Sequence, residues 1–193
     1  KTENAHVSGY AEGKDFSIIK EVQGDDVDEA KTRAVILAAV AAGQGSVNLK
    51  DQGCYRQITV TSTDAGLKDL CSTMNKCRDM SITYQFGEAQ EVLGGKDITS
   101  WLTGTSEGQI QVDQEKAAAY VKYLADKYDT AWKPRIFKTA GGREVELNGP
   151  FGWKIDPAQE VMALTAMIQT AQSQTREPQY ATAAADRVSD WGS

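Results

Sequence analysis

The feature that most constrains the fold is an apolar residue followed by aspartate, which occurs three times where a strand-like segment meets a helix-like one. The three pairs are Val27-Asp28, Val112-Asp113 and Ile155-Asp156. An aspartate in this position accepts hydrogen bonds from the free amides of the first helical turn. After the third pair, Pro157 fits the first helical position and Gln159 completes a capping box. The sequence therefore predicts three helices that each begin directly after a short strand.

An apolar stripe with helical spacing follows each aspartate, and Gly43 is placed to end the first helix in the left-handed conformation. A fourth helix is predicted to open at Thr63 or Asp64. Stripes with this spacing predict that these faces are buried. The stripes are Ile36, Leu37 and Val40; Leu67, Leu70, Cys71 and Met74; Ala117, Tyr120, Val121, Leu124 and Tyr128; and Val161, Leu164, Met167, Ile168 and Ala171.

Short β-rich or alternating segments lie between the predicted helices, and 139–142 is a hairpin turn. A short helical turn is predicted at 98–102, carrying Trp101. Because helices and hairpins are mixed, we predict an α+β fold and not a doubly wound parallel sheet. The predicted strands are 16–22, 46–49, 81–86, 109–112, 135–138, 143–147 and 175–180.

The organisation predicted from these segments is a frayed start at 1–15, an α+β domain at 16–180 with two similar lobes (16–103 and 108–180), and a linker at 181–193. Superposing the first and third motifs places Ile36 on Leu164 and Val40 on Ile168. A tyrosine follows the next strand in both cases, Tyr55 and Tyr180. An internal duplication explains this pattern, and so does a common local solution used twice.

The charge balance argues against nucleic acid as a partner. The chain has a net charge of −6, shared between both halves, and contains no basic block that would offset phosphate charge. It begins at Lys1 and has no signal-like segment, so we expect a trimmed fragment, with room for a signal or anchor upstream.

A search for catalytic chemistry finds no nucleophile with a positioned base, since the only histidine is His6 in the polar start. The acidic run from Asp25 to Glu29 lacks the glycine and distal glutamate of an EF-hand. Glu144 and Glu146 are expected to be solvated hairpin charges. We therefore expect a protein without enzymatic activity, metal or cofactor.

The three cysteines, Cys54, Cys71 and Cys77, lack the spacing of zinc or redox sites. Three buried thiols and one disulfide with a free thiol are both compatible with the sequence. If a disulfide forms, the first choice is Cys54 with Cys71, because Cys71 lies on the inner face of the helix that follows Cys54.

The order of several segments resembles the peptidoglycan-binding domain that precedes the catalytic domain in bacterial L,D-transpeptidases of the ErfK/YbiS/YcfS/YnhG type. The resemblance covers roughly residues 16 to 180. The segments that carry it are Tyr84–Phe86 with Gly87, Trp101-Leu102, Val112-Asp113, Gly152–Asp156, and Arg176–Pro178 with Tyr180.

The resemblance implies a non-catalytic cell-wall module of an extracellular or membrane-anchored surface protein. Its partners would be peptidoglycan, through glycan or stem peptide, and a C-terminal catalytic domain of the same protein. That domain is expected outside this sequence, because nothing here matches its Ser-His-Gly-Cys-x-Arg motif. A structural spacer or a protein-interaction domain without glycan binding is the alternative.

A wall ligand is expected at Trp153, Lys154, Arg176 and Tyr180. Aromatic faces cover the apolar side of a sugar, and cations bind stem-peptide carboxylates. Trp153 is expected as the floor of the site and is equally compatible with the core.

Overall fold

The computed structural model describes residues 1–105, 108–147 and 152–181, and these contain five helices and nine strands. The predicted α+β class is confirmed. The helices are α1 (Glu29–Ala41), α2 (Ala65–Lys76), α3 (Gly95–Thr99), α4 (Gln114–Tyr128) and α5 (Pro157–Gln169). The strands are β1 (His6–Val7), β2 (Ile18–Ile19), β3 (Ser81–Phe86), β4 (Ala89–Gly94), β5 (Leu102–Gly104), β6 (Ile110–Val112), β7 (Arg135–Lys138), β8 (Glu144–Leu147) and β9 (Gln174–Arg176).

The three predicted N-caps are confirmed. Asp28 accepts from the amide of Lys31, Asp113 from those of Glu115 and Lys116, and Asp156 from those of Ala158 and Gln159, at N–O distances between 2.9 and 3.1 Å. Gly43 follows α1 with a φ of +67°, as predicted. Each capping aspartate satisfies amides that the helix itself leaves without an acceptor.

The chain forms two compact units. Unit 1 consists of Lys1–Ser72 with Gly104–Ile110, and unit 2 of Thr73–Thr103 with the residues from Gln111 onward. The division therefore falls within α2, whereas the sequence placed the lobe boundary near 103–108. The linker predicted at 181–193 lies outside the described residues, apart from Ala181.

Unit 1 uses the N-terminal segment that the sequence suggested would be frayed. β1 pairs antiparallel with β2, Glu3 forms a bridge with Val22, and Ala5 and Val7 are buried. Of the strand predicted at 16–22, only Ile18–Ile19 and this bridge form, and 46–49 is not a strand. Pairing with residues 3–7 is what organises this part of the chain.

The predicted burial of the α1 stripe is wrong. Ile36, Leu37 and Val40 are 44%, 60% and 68% exposed, and Ala39 is the buried residue of the helix. The spacing correctly predicts a helix, but within the described ranges nothing covers this face.

Unit 2 is built on a three-stranded sheet of order β4-β3-β9. β3 and β4 form an antiparallel hairpin, and β9 runs parallel to β3 with Tyr84 opposite Arg176. Helices α4 and α5 carry the buried stripes that the sequence predicted, and Gln114 of α4 donates to Thr165 of α5 at 3.2 Å. The buried stripe residues are Ala117, Val121, Leu124, Leu164 and Ile168.

Two other local predictions are settled. β7 and β8 form the predicted hairpin. The helical turn expected at 98–102 lies three residues earlier, as α3, so Trp101 lies outside it and Leu102 begins β5. Only glycine fits at the first position of α3, because a Cβ on Gly95 would lie 2.0 Å from the carbonyl oxygen of Arg78.

All three cysteines are buried free thiols, so the structure does not contain the Cys54–Cys71 disulfide. The thiol of Cys71 instead donates to the carbonyl of Phe16 at 3.3 Å. In unit 2, Cys77 donates to the carbonyl of Ile168, and burial raises the pKa of its thiol to about 11. A thiol with so high a pKa is protonated and unreactive near neutrality.

Candidate functional site

The structure brings three of the four predicted ligand-binding residues together at one end of α5. Ile155 forms an antiparallel bridge with Tyr180. The amide of Asp156 donates to the carbonyl of Gln179 at 2.8 Å, and that of Ala181 to the carbonyl of Lys154 at 2.7 Å. The bridge places the rings of Trp153 and Tyr180 6.2 Å apart. We call this group, Trp153, Lys154 and Tyr180, the Trp153–Tyr180 site.

Trp153 is held in place from several directions. Its indole Nε1 donates to the carbonyl of Tyr128 at 2.6 Å, and its amide donates to Oγ1 of Thr130 at 3.1 Å. Its carbonyl accepts from the amide of Thr130 at 3.0 Å. The residue is half-buried, and the far edge of its indole lies near Gly87, where an added Cβ would be 3.7 Å from Cη2.

Lys154 is exposed and supplies the positive charge of the site. Asp129, whose carboxylate accepts from the amide of Ile155 at 2.9 Å, lies within reach of that charge. Burial raises the pKa of Asp129, while the Ile155 amide and the charges of Lys133 and Lys154 act in the opposite direction. The charge of Lys154 thus acts on a partly buried carboxyl group next to the site.

Arg176 turns away from this surface and into unit 2. Its side chain is 15% exposed, and Nη1 lies 3.1 Å from Oε1 of Glu160, which is fully buried. The Tyr84 hydroxyl donates to the same oxygen at 2.7 Å, and the amide of Gln179 donates to Oε2 at 2.6 Å. Burial, followed by the charge of Glu160, raises the pKa of Tyr84. Ligand binding by Arg176 stays a prediction, but its guanidinium already has a carboxylate partner.

Sequence reasoning missed Glu160, which joins α5 to β3, β9 and the Tyr180 segment. One feature could have revealed it: Glu160, Leu164 and Ile168 are spaced at i, i+4 and i+8, so the acid belongs to the buried face of the helix. A carboxylate within an apolar stripe needs a cation or several donors. The remaining step, the choice of Arg176 as partner, depends on the parallel pairing of β9 with β3.

A second cluster that the sequence did not predict lies between β4 and α4. Oε2 of Glu91 accepts from Nζ of Lys127 and from the hydroxyl of Tyr128, both at 2.7 Å. Nζ of Lys127 also lies 5.3 and 5.1 Å from the ring centres of Tyr123 and Tyr128. These hydrogen bonds lower the pKa of Glu91 and raise that of Lys127. Phe86 stacks on Tyr128 at 3.9 Å, which connects the cluster to the sheet.

No group of three or more potential metal ligands of the histidine, cysteine, aspartate and glutamate types occurs in the described ranges. None of the helices in those ranges has the length and hydropathy needed to span a bilayer.

Comparison with known proteins finds relatives among solved structures. No protein-family model matches the chain, and no curated protein matches it. One similar structure is the carbamoyl enzyme formed from Ldtfm and avibactam, with 31% identity and a TM-score of 0.53. Another is an Enterococcus faecium L,D-transpeptidase with a cysteine-to-serine mutation, with 30% identity and a TM-score of 0.52. The matches cover 63% and 62% of this chain and 48% of each of the other chains.

These matches support a relation to L,D-transpeptidases, as the resemblance implied. They overturn the expectation that the protein is not an enzyme, because the structures that it resembles are those of enzymes. The matched region spans about half the length of those proteins.

Proposed function

We propose that this chain is part of an L,D-transpeptidase and that it gives this enzyme a contact with cell-wall peptidoglycan. The observation that carries the proposal is the likeness to two L,D-transpeptidase structures at 30–31% identity. The proposed partners are peptidoglycan and the catalytic domain of the same protein, and the proposed location is the cell surface. Attachment to the wall would raise the effective concentration of substrate even if the contact itself is weak.

The Trp153–Tyr180 site supports this role. Two aromatic rings 6.2 Å apart offer a surface for the apolar side of a sugar ring. Lys154 adds an exposed ammonium group for a stem-peptide carboxylate. Arg176 contacts the site only indirectly. Its guanidinium donates to Glu160, and the same carboxylate accepts from the amide of Gln179, the residue before Tyr180.

The test is co-sedimentation with purified, insoluble cell wall. The double variant Lys154→Ala/Tyr180→Ala should reduce binding several-fold. The bridge between Ile155 and Tyr180 is formed by backbone atoms, so it should survive the loss of both side chains. Lys122→Ala/Tyr123→Ala on α4 is the comparison variant: it removes the same residue types from exposed positions, and Tyr123 belongs to the second cluster. Arg176 is left unchanged, because its loss would strand Glu160 and confound binding with unfolding.

Three outcomes are distinct. Weaker sedimentation of the first variant alone supports both the function and the site. Weaker sedimentation of the α4 variant alone keeps the function and moves the site to the second cluster, formed by Glu91, Tyr123, Lys127 and Tyr128. Absence of sedimentation by the unmodified protein would refute wall binding by this chain.

A protein-interaction domain is the second candidate function, and the exposed α1 stripe favours it. Ile36, Leu37 and Val40 form an apolar face that is uncommon on a surface helix. If the protein fails to bind cell wall, a helix-face variant such as Leu37→Asp should abolish capture of the catalytic domain supplied as a separate chain.

A further inference from the structure

Unit 1 contains a tyrosine in the same backbone setting as Tyr180. Val27 forms an antiparallel bridge with Tyr55, just as Ile155 does with Tyr180. The amide of Asp28 donates to the carbonyl of Cys54 at 2.8 Å, and that of Arg56 to the carbonyl of Asp26 at 3.0 Å. These bonds correspond one by one to those around Tyr180. Tyr55 therefore marks the position in unit 1 that corresponds to the Trp153–Tyr180 site.

A surface cavity of about 470 Å³ lies at this position, which we call the Tyr55 cavity. Its volume falls within the range of roughly 300–1,000 Å³ that is typical of small-ligand sites. It combines one aromatic ring with one cation, one anion and two carboxamides. The lining residues are Gln23, Gly24, Asp25, Lys50, Tyr55 and Gln57.

The two carboxamides are oriented by the protein. Nε2 of Gln23 donates to the carbonyls of Gly24 and Arg56 at 3.0 and 3.1 Å, and Nε2 of Gln57 donates to the carbonyl of Tyr55 at 3.0 Å. The side-chain oxygens are the groups that can receive a ligand's N–H, whereas both hydrogens of the Gln23 amide and one of the Gln57 amide are already donated to backbone carbonyls. Together with the Asp25 carboxylate, they make this part of the wall rich in acceptors.

The wall at Gly24 is also fixed. A Cβ on Gly24 would lie 2.4 Å from the carbonyl carbon of Lys1, so the N-terminal segment is packed directly against this residue. The Asp26 carboxylate accepts from the amide of Thr2 and ties the same two segments together. A wall held in this way is pre-organised, which lowers the cost of binding a small ligand.

We propose that the Tyr55 cavity binds a short peptide that carries both an ammonium group and a carboxylate. Asp25 and the glutamine oxygens bind the ammonium group, Lys50 binds the carboxylate, and the ring of Tyr55 covers the methylene chain between them. The site is distinct from the Trp153–Tyr180 site in its charge, because Asp25 and Asp26 occupy the places that Trp153 and Lys154 take in unit 2. It therefore accepts a cationic group that Lys154 would repel.

The probe is an N-acetylated tripeptide, Ala-Lys-Ala, with a free terminal carboxylate, titrated into the whole chain and followed by NMR. The backbone amides of Gly24, Tyr55 and Gln57 should shift in a saturable way. Acetylation of the peptide's lysine, or amidation of its carboxyl terminus, should each weaken binding about tenfold, as expected when one charge-assisted hydrogen bond is lost.

Paired changes in protein and peptide then assign the two ends of the ligand. Lys50→Ala should weaken binding of the free-acid peptide about tenfold and leave that of the amidated peptide unchanged. Asp25→Asn should weaken binding of the peptide with the free lysine about tenfold and leave binding of the lysine-acetylated peptide unchanged. Lys14→Ala and Asp51→Asn are matched controls at exposed positions outside the cavity and should leave all affinities unchanged.

Three outcomes would overturn the proposal: no saturable shifts around Tyr55, equal binding of all three peptides, or equal effects of the cavity variants and their controls. The unfolding curve of each variant must match that of the unmodified protein. Because the titration contains no cell wall, failure here leaves the wall-binding proposal standing, and failure of the sedimentation test leaves this one standing.

Discussion

Asp28 caps α1 in unit 1 as Asp156 caps α5 in unit 2, and in both units the residue before the aspartate pairs with a tyrosine. Beyond the first turn the two helices differ. Ile36 and Val40 are 44% and 68% exposed, whereas their counterparts Leu164 and Ile168 are fully buried. The shared bridge is expected both from an internal duplication and from a common local solution used twice, and the two helices have different surroundings.

The contrast extends to the fourth residue after each capping aspartate. Glu160, four residues after its cap, has three hydrogen-bond donors around its carboxylate. Thr32, four residues after the other cap, has a buried hydroxyl without a hydrogen-bond partner in the described part of the chain. Capping thus follows from the local sequence, whereas burial depends on whether a sheet lies against the helix.

The largest difference between the two helices is expected at this fourth position. Glu160→Gln should destabilise the protein by about 3–5 kcal/mol, because it leaves the guanidinium of Arg176 without its counter-charge in a largely buried place. Thr32→Val removes only a hydroxyl that makes no bond, so the free energy of unfolding should change by less than about 1 kcal/mol. Urea unfolding measures both.

Equal losses for these two variants would show that Thr32 has a bonding role that the structure does not contain. Arg176→Met in the Glu160→Gln background serves as the control: it removes the uncompensated charge and should recover part of the lost stability.

The buried faces of the two helices give the next largest contrast. Leu164→Ala should cost about 2–5 kcal/mol, since it opens a cavity in the core of unit 2. Ile36→Ala should change the free energy of unfolding by less than about 1 kcal/mol, because its side chain already contacts water. If Ile36→Ala were as costly as Leu164→Ala, the α1 stripe would be covered in solution, for instance by a second copy of the chain, and sedimentation equilibrium would detect that copy.

The sequence was most informative where structure is decided within a few residues. The capping aspartates and the β7–β8 hairpin depend on neighbours in the chain, and so does the helical spacing of the stripes. The α1 stripe was mispredicted because burial needs an element from elsewhere. The same reason explains Arg176: the sequence predicts a cation that binds a wall ligand, but parallel pairing of β9 with β3 directs its side chain to Glu160.

The caps themselves should behave alike in both units. Asp28→Ala and Asp156→Ala should each cost about 1 kcal/mol, because each removes the acceptor for first-turn amides irrespective of how deeply the helix is buried. Chemical unfolding of the two variants tests this. Asp→Asn at both positions is the control, since asparagine also caps and should retain most of the stability. A cost for Asp156→Ala several times that for Asp28→Ala would mean that the cap also positions the Trp153–Tyr180 site.

The smallest predicted effect concerns pH and has opposite signs in the two units. In unit 1, a hydrogen bond from Thr2 lowers the pKa of Asp26 below its ordinary value of 3.8. In unit 2, burial raises the pKa of Asp129 above the same value. A lowered folded-state pKa gives stability that is present above about pH 4 and is lost as the pH falls through that lowered pKa. A raised folded-state pKa gives stability that is present below about pH 4 and is lost as the pH rises through that raised pKa.

Asp26→Asn should therefore flatten the loss of stability that occurs on acidification below about pH 4. Asp129→Asn should instead remove a loss that occurs on raising the pH from about 4 upward, through the elevated pKa of Asp129. Urea midpoints between about pH 2.5 and about 7, compared with those of the unmodified protein, give both slopes. The amide of Ile155 keeps an acceptor in Asp129→Asn, so a change in slope reports ionisation and not the loss of the hydrogen bond. If both variants changed the pH dependence of the urea midpoint in the same direction relative to the unmodified protein, the two carboxylates would not have opposite pKa shifts.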